Sequence, residues 1–148
     1  MQLRPFCALL LLVAAPASSQ VPPTATERAQ YAGVFAAAAR NDAATIATLV
    51  AAAGVVDARD GYGRTPLHVA AYAKAHDALR SLVKAGADPN ALERDRYDIV
   101  TIAAVADDVP TLETALAVGC SPRNVTSRYD GTALIAAAHL ATTTLSVR

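Results

Sequence analysis

The feature that most constrains this chain is self-similarity: from Glu27 onward the sequence falls into units of about 33 residues. Ala38-Ala39, Ala70-Ala71 and Ala103-Ala104 each lead a glycine, Gly54, Gly86 and Gly119, by 15 positions counted from the second alanine. Between the second and third units the period is 33 at every landmark: Asp57 to Asn90, Ala71 to Ala104, Gly86 to Gly119. A fourth unit opens at Gly131-Thr132-Ala133-Leu134 and carries Ala137-Ala138. Units of this size are single supersecondary pieces. Each exposes apolar flanks that only a neighbouring unit can bury, so the chain must stack rather than close on one central core.

Inside the second unit the local chemistry dictates two helices. Thr65 is placed to cap a helix whose first position is Pro66, where a missing N–H costs nothing. Leu67, Ala70 and Ala71 then share one face, Ala73-Lys74-Ala75 forms a reversal, and Leu79, Leu82 and Val83 give the apolar stripe of a second, antiparallel helix that Gly86 ends. Asp60-Gly61-Tyr62-Gly63 is a turn sequence that projects sideways as a hairpin-like loop. In the first unit the pattern predicts helices over 27–40 and 43–53, with Asp42 as a cap and no hairpin ahead of them. In the third it predicts helices over 99–106 and 110–118, the second opened by Pro110, with capping weakened where Asp98-Ile99-Val100-Thr101 stands in place of Thr65-Pro66-Leu67-His68. The fourth offers one helix, from Thr132 to about Ala141, followed by a threonine-rich tail without a second apolar stripe.

Gly63-Arg64-Thr65-Pro66-Leu67-His68-Val69-Ala70-Ala71, with Lys84-Ala85-Gly86-Ala87-Asp88-Pro89-Asn90-Ala91 behind it, resembles a near-complete ankyrin repeat. The third unit is a degenerate copy in which Arg96 replaces the turn glycine, and the fourth keeps Gly-Thr-Ala-Leu without the Pro and His. Gly131-Thr132-Ala133-Leu134-Ile135-Ala136-Ala137-Ala138-His139 is similar to the secreted or periplasmic bacterial branch of the family. The resemblance implies an all-α solenoid of stacked helix-turn-helix units with hairpin-like loops. It also implies a concave face, made of loop tips and first helices, that binds an as yet unidentified protein. The residues placed there are Arg59, Tyr62 and Arg64, then Tyr72 and Lys74, then Arg94, Asp95 and Arg96, then Arg128 and Tyr129. Tyr and Arg dominate interface hot spots, whereas ordinary solvated turns would also use such residues.

Residues 1–17 are of another kind. Arg4 precedes an uninterrupted apolar run over 6–15, and Ala15-Pro16-Ala17 is a small-x-small site, so the segment reads as a secretory signal peptide with a mature start at Ser18 or Gln20. The run is too short to span a bilayer, for which about 20 residues are needed. Residues 18–26 read as a linker and 27–148 as one repeat domain of about four units, the last truncated; the product is expected to be exported, periplasmic or secreted, with no membrane span in its mature form.

Function classes can be thinned on composition. Of 148 residues 53% are hydrophobic, with alanine the commonest of them; 13 basic residues balance 13 acidic ones and no stretch collects the Lys and Arg into a patch that could track phosphates, so nucleic acid is excluded as a partner. Ser81 and Lys84 have the Ser-x-x-Lys spacing of acyl-transferring hydrolases, but they fall inside a repeat helix and the companion motifs are absent. His68, His76 and His139 sit in different units, which argues for structural hydrogen bonds rather than metal ligation. Asp107-Asp108 precedes a helix start and reads as capping; Cys120 reads as a small packed residue, and Gly61-Tyr62-Gly63 lacks the third glycine of a phosphate loop. The expectation is therefore a binding module with no catalysis, cofactor or metal. The alternatives are a decaying array without a working surface, or a hydrolase using Ser81 and Lys84. The open apolar face of the fourth unit, with Leu134 and Ile135, is expected to fray or to self-associate.

Overall fold

A computed structural model describes residues 20–126 and 130–138, so the expected signal peptide, Arg128, Tyr129, His139 and the tail lie outside the described residues. The named helices among the described residues are, in order, α1 (Ala25–Gln30), α2 (Gly33–Ala39), α3 (Ala43–Ala53), α4 (Pro66–Tyr72), α5 (His76–Lys84), α6 (Ile99–Val105) and α7 (Val109–Ala117). Residues 133–138 are also helical. The helices form two layers. α2, α4 and α6 pack side by side, α3, α5 and α7 do the same, and each first helix lies against the second helix of its own unit.

The period in the sequence is a period in the backbone. Asn41, Lys74 and Asp107, 33 residues apart, take left-handed φ values of 58°, 56° and 52° and reverse the chain inside each unit. The reversal is locked by the same bond each time: Asp42 N–H to Ala37 O (2.9 Å), Ala75 N–H to Ala70 O (2.9 Å) and Asp108 N–H to Ala103 O (3.0 Å). Asp42 and Asp108 cap α3 and α7 by accepting from Thr45 and Thr111 N–H. Gly86 ends α5 with φ near 100°, and Ala87 N–H then closes back on Leu82 O at 3.0 Å. Small residues let the layers approach: Ala37, Ala38, Ala70, Ala71, Ala78 and Ala115 are buried, and Ile46, Leu67, Leu79, Leu82, Ile99 and Ile102 supply the larger apolar groups. Each of these larger groups contributes about 2 kcal/mol or more on burial.

Two sequence expectations are corrected. The helix expected over 27–40 is split, because Tyr31 adopts an extended conformation (ψ 140°) and Gly33 a left-handed one (φ 56°). At the break the Tyr31 hydroxyl donates to Asp60 Oδ2 at 2.8 Å, which ties the segment to the second unit. Helix α1 begins at Ala25, two residues ahead of the expected start at 27, with Thr24 and Glu27 in a reciprocal capping box. Nor is the third unit poorly capped. Asp98, at the position of Thr65, accepts from Thr101 N–H at 2.8 Å, and Thr101, at the position of His68, bonds through its hydroxyl to that of Thr126 at 2.7 Å. A carboxylate performs the capping that the hydroxyl was expected to perform.

At the far end of the described chain, Leu134 is 78% and Ile135 52% exposed. Amide hydrogen exchange should show residues 133–138 markedly less protected than 66–72 in the monomer at low concentration. Equal protection would mean that the last helix is as firmly held as α4.

Candidate protein-binding surface

The edge of the stack is built from two copies of one turn. In the first, Asp60 N–H bonds Arg64 O (3.0 Å) and Gly63 N–H bonds Asp60 O (2.9 Å); in the second, Glu93 N–H bonds Tyr97 O (3.0 Å) and Arg96 N–H bonds Glu93 O (2.9 Å). The acid opening each turn also ties down its interior. Asp60 Oδ1 accepts from the N–H groups of Tyr62 and Arg64, and Glu93 Oε1 from those of Asp95 and Tyr97. Left-handed backbone closes both turns, at Gly63 (φ 73°) and at Arg96 (φ 65°), so the arginine keeps the geometry of the glycine it replaces. Gly63 meets a second demand: a Cβ there would stand 3.2 Å from Arg94 N.

Adjacent tips are laced together. Arg94 N–H donates to Tyr62 O at 3.1 Å, its guanidinium to Gly61 O at 2.5 Å, and Arg59 Nη1 to both Gly63 O and Leu92 O at 2.7 Å. The Tyr62 ring, 40% exposed, has the guanidinium carbons of Arg64 and Arg94 at 4.6 and 5.8 Å from its centroid. An aromatic ring on a rigid edge, held by cations whose own hydrogen bonds are already made, enters a contact with little further ordering.

The expected binding residues do not all share this edge. Arg59, Tyr62, Arg94 and Arg96 do, with Arg96 paired to Asp130 at 2.7 Å. Lys74 lies at the opposite end of α4, in the reversal before α5, and pairs with Asp108 at 3.3 Å. Tyr72 is half-buried, and its hydroxyl is shielded from solvent with no hydrogen-bond partner among the described residues.

Arg64 requires a correction: expected on an exposed tip, it is 1% exposed. Its Nε donates to Asp60 Oδ2 at 2.7 Å, Nη2 to Glu27 Oε1 at 2.6 Å and Nη1 to Val21 O at 3.1 Å. Among the described residues the first unit has no hairpin of its own, and α1 takes that place through this arginine. Burial works against ionised Asp60, yet hydrogen bonds from Tyr31 and Arg64 hold its carboxyl below the usual range. The Thr24 backbone and hydroxyl do the same for Glu27, with Arg64 adding to them. Glu93 goes the other way, its pKa raised by burial. Sequence reasoning missed Glu27, Tyr31 and Asp60 because their meeting depends on contacts across 29 to 37 positions.

The residues weighed for chemistry are structural in their contacts. His68 Nε2–H donates to Tyr97 O at 3.1 Å, joining the second unit to the third, while Nδ1 accepts from Thr65 N–H at 3.1 Å. Ser81 Oγ donates to Ala43 O at 3.1 Å. Cys120 is buried, and burial pushes its thiol up to about 12. Among the described residues no three His, Cys, Asp or Glu side chains gather where they could hold a metal ion, and no helix is long and apolar enough to cross a membrane.

Comparison with known proteins agrees with this architecture. A family model described as ankyrin repeats (3 copies) matches residues 7–93, more than half of the chain. The match stops at the second hairpin, ahead of the degenerate third unit. Inversin of Gallus gallus is 32% identical over 107 residues, a stretch covering 65% of this chain and 10% of that protein. The chain thus spans about a tenth of the length of that relative. Ankyrin repeats imply a protein–protein interaction module. With its 33-residue period, paired helical layers and laced hairpin edge, this chain belongs to the ankyrin-repeat family.

Proposed function

We propose that this chain is an exported interaction module without catalysis of its own, and that the hairpin edge around Tyr62 is the surface that meets its protein partner. The observation that carries the reading is Tyr62, an exposed aromatic ring between arginines on a hydrogen-bonded edge. Such residues dominate interface energetics when preorganised. Export is supported by the charged start, apolar run and small-x-small site over 1–17, and the periplasm or the exterior is the compartment it serves. The absence of catalysis is supported by Ser81, whose proton is committed to a backbone carbonyl, and by the spread of the histidines over separate units.

Tyr62→Ala should weaken a captured partner by about 1 to 4 kcal/mol and leave helical circular dichroism unchanged. Arg64 must stay untouched in that experiment, since its loss acts on folding. Equal losses from Arg80→Ala and Lys84→Ala, both on the outer helix α5, would place the site on the other side of the stack. For export, intact-mass analysis should find a chain beginning at Ser18 or Gln20; an exported product that retains Met1 would contradict it.

A further inference from the structure

A groove of about 540 Å³ runs between α3 and α5 in the layer of second helices, walled by Ala47, Val50 and Ala51 on one side and by Arg80, Ser81 and Lys84 on the other. Its volume falls within the roughly 300 to 1,000 Å³ of small-molecule sites. The wall made by α3 is the unusual one. It has no charged residue in 11 positions and buries only Ile46, although a helix that is apolar all round is normally buried. The register of the repeat shows that the loss of charge is local: Ala47 and Ala51 are exposed at the positions that hold Arg80 and Lys84 one unit later.

The opposite wall supplies charge of one sign. Arg80 and Lys84, one turn apart on α5, are the only ionisable groups among the described residues that line the groove. Lys84 has no hydrogen-bond or ion-pair partner among the described residues, and Arg80 meets only the exposed Asp77 at 3.3 Å and Thr114 at 3.5 Å. The Ser81 hydroxyl proton is already given to Ala43 O. An elongated apolar molecule with an anionic head complements this arrangement, because its chain meets alanine and valine while its head meets donors that are still free. Width and shape narrow the choice. Packed neighbouring helices lie about 8 to 10 Å apart, so the depression between them is narrower than the roughly 10 to 12 Å of a partner helix and takes a single extended chain instead. A flat bilayer needs protruding large apolar side chains, and the short side chains of Ala47 and Ala51 recede from it. We propose that the α3–α5 groove binds a long-chain carboxylate, with its chain along Ala47, Val50 and Ala51 and its head at Arg80 and Lys84. The site shares no residue with the hairpin edge and is independent of the protein-binding reading.

Calorimetric titration of the full chain with dodecanoate below its micelle concentration tests this, with dodecyltrimethylammonium as the cationic control. One saturable site for dodecanoate is expected, and about tenfold weaker binding of the cation. Arg80→Gln/Lys84→Gln should lower dodecanoate affinity about tenfold with helical circular dichroism unchanged. Ala51→Glu should abolish binding, since it fills the groove and sets a carboxylate where the ligand lies. In the NMR spectrum of the wild type, dodecanoate should shift amides of 43–53 and 76–85 and leave 133–138 unmoved, although Leu134 and Ile135 are exposed there. Equal affinity for the two amphiphiles, wild-type affinity in either variant, or shifts centred on 133–138 would overturn the proposal. Sedimentation of the chain with phosphatidylglycerol vesicles in the absence of any dodecanoate binding would overturn it as well, and would make this face a membrane contact.

Discussion

Arg64→Met should lower the stability of the folded chain by about 3 kcal/mol, read as a shift of the urea midpoint, even though it removes a charge from what the sequence marks as a turn. The size follows from burial. Arg64 is 1% exposed, and its partners Asp60 and Glu27 are 11% and 23% exposed, so the loss of the guanidinium leaves two carboxylates partly shielded and short of donors. Breaking a fully buried pair costs about 3 to 5 kcal/mol; the water that still reaches Glu27 puts this case at the lower end. The damage should be local in origin, with α1 released first, because Arg64 joins it to the second unit at Glu27 and Val21. A double-mutant cycle distinguishes this from general disruption. Glu27→Gln should be destabilising alone and nearly silent in the Arg64→Met background. An Arg64→Met chain as stable as the wild type would show that the ion pairs contribute nothing net.

Lowering the pH should remove a comparable amount of stability through His68. Burial is the main reason its pKa is depressed, to about 4. In addition, Nδ1 faces the Thr65 N–H, so a proton added there would set two donors against each other. The folded protein therefore binds this proton less readily than the unfolded chain, whose histidine titrates near 6.5. The stabilisation is fully present above about 6.5 and is lost as pH falls toward 4, amounting to about 3 kcal/mol over that window. Glu93 opposes it, since its raised pKa makes the fold gain from protonation in the region above 4.5. Glu27, Asp42, Asp60 and Asp108 have lowered pKa values and add their own loss only as pH falls through the ordinary carboxylate range and below. Thermal melts of the wild type at steps from pH 7 to 4.5 should decline, Glu93→Gln should decline more steeply, and His68→Gln should be nearly flat. A flat wild-type profile would contradict the assigned role of His68.

What could be read from the sequence and what could not divides along the reach of the interactions. Asp42 before α3, Thr65-Pro66 before α4 and Gly86 after α5 act within one helical turn, and the element ends they predict are those observed. The stacking of units was legible for the same reason, because alanine pairs at a fixed period leave each helix hairpin with flanks only a neighbour can cover. Arg64 was misplaced because a cation beside turn residues reads as solvated, while its burial is decided by Glu27, 37 positions away. The Tyr31–Asp60 bond was hidden likewise, since it joins residues 29 positions apart. Asp98 shows a different failure: judged as a departure from a motif it signals weakness, but judged by what a carboxylate offers a helix N-terminus it signals a good cap. For the binding edge, the types and spacing of Arg59, Tyr62 and Arg94 were visible, whereas the lacing of their guanidiniums to carbonyls of adjoining turns required three dimensions.

The central claim, a protein partner met at the hairpin edge, is tested most directly by photocrosslinking in the cells that make the protein. A photoreactive phenylalanine analogue would replace Tyr62 at the edge in one strain and the exposed Thr48 on α3 in another. The account predicts one discrete crosslinked species from position 62, none from position 48, and loss of the species when Arg94 is changed to Glu. Crosslinking from position 48 but not from position 62 would contradict it and place the contact on the layer of second helices.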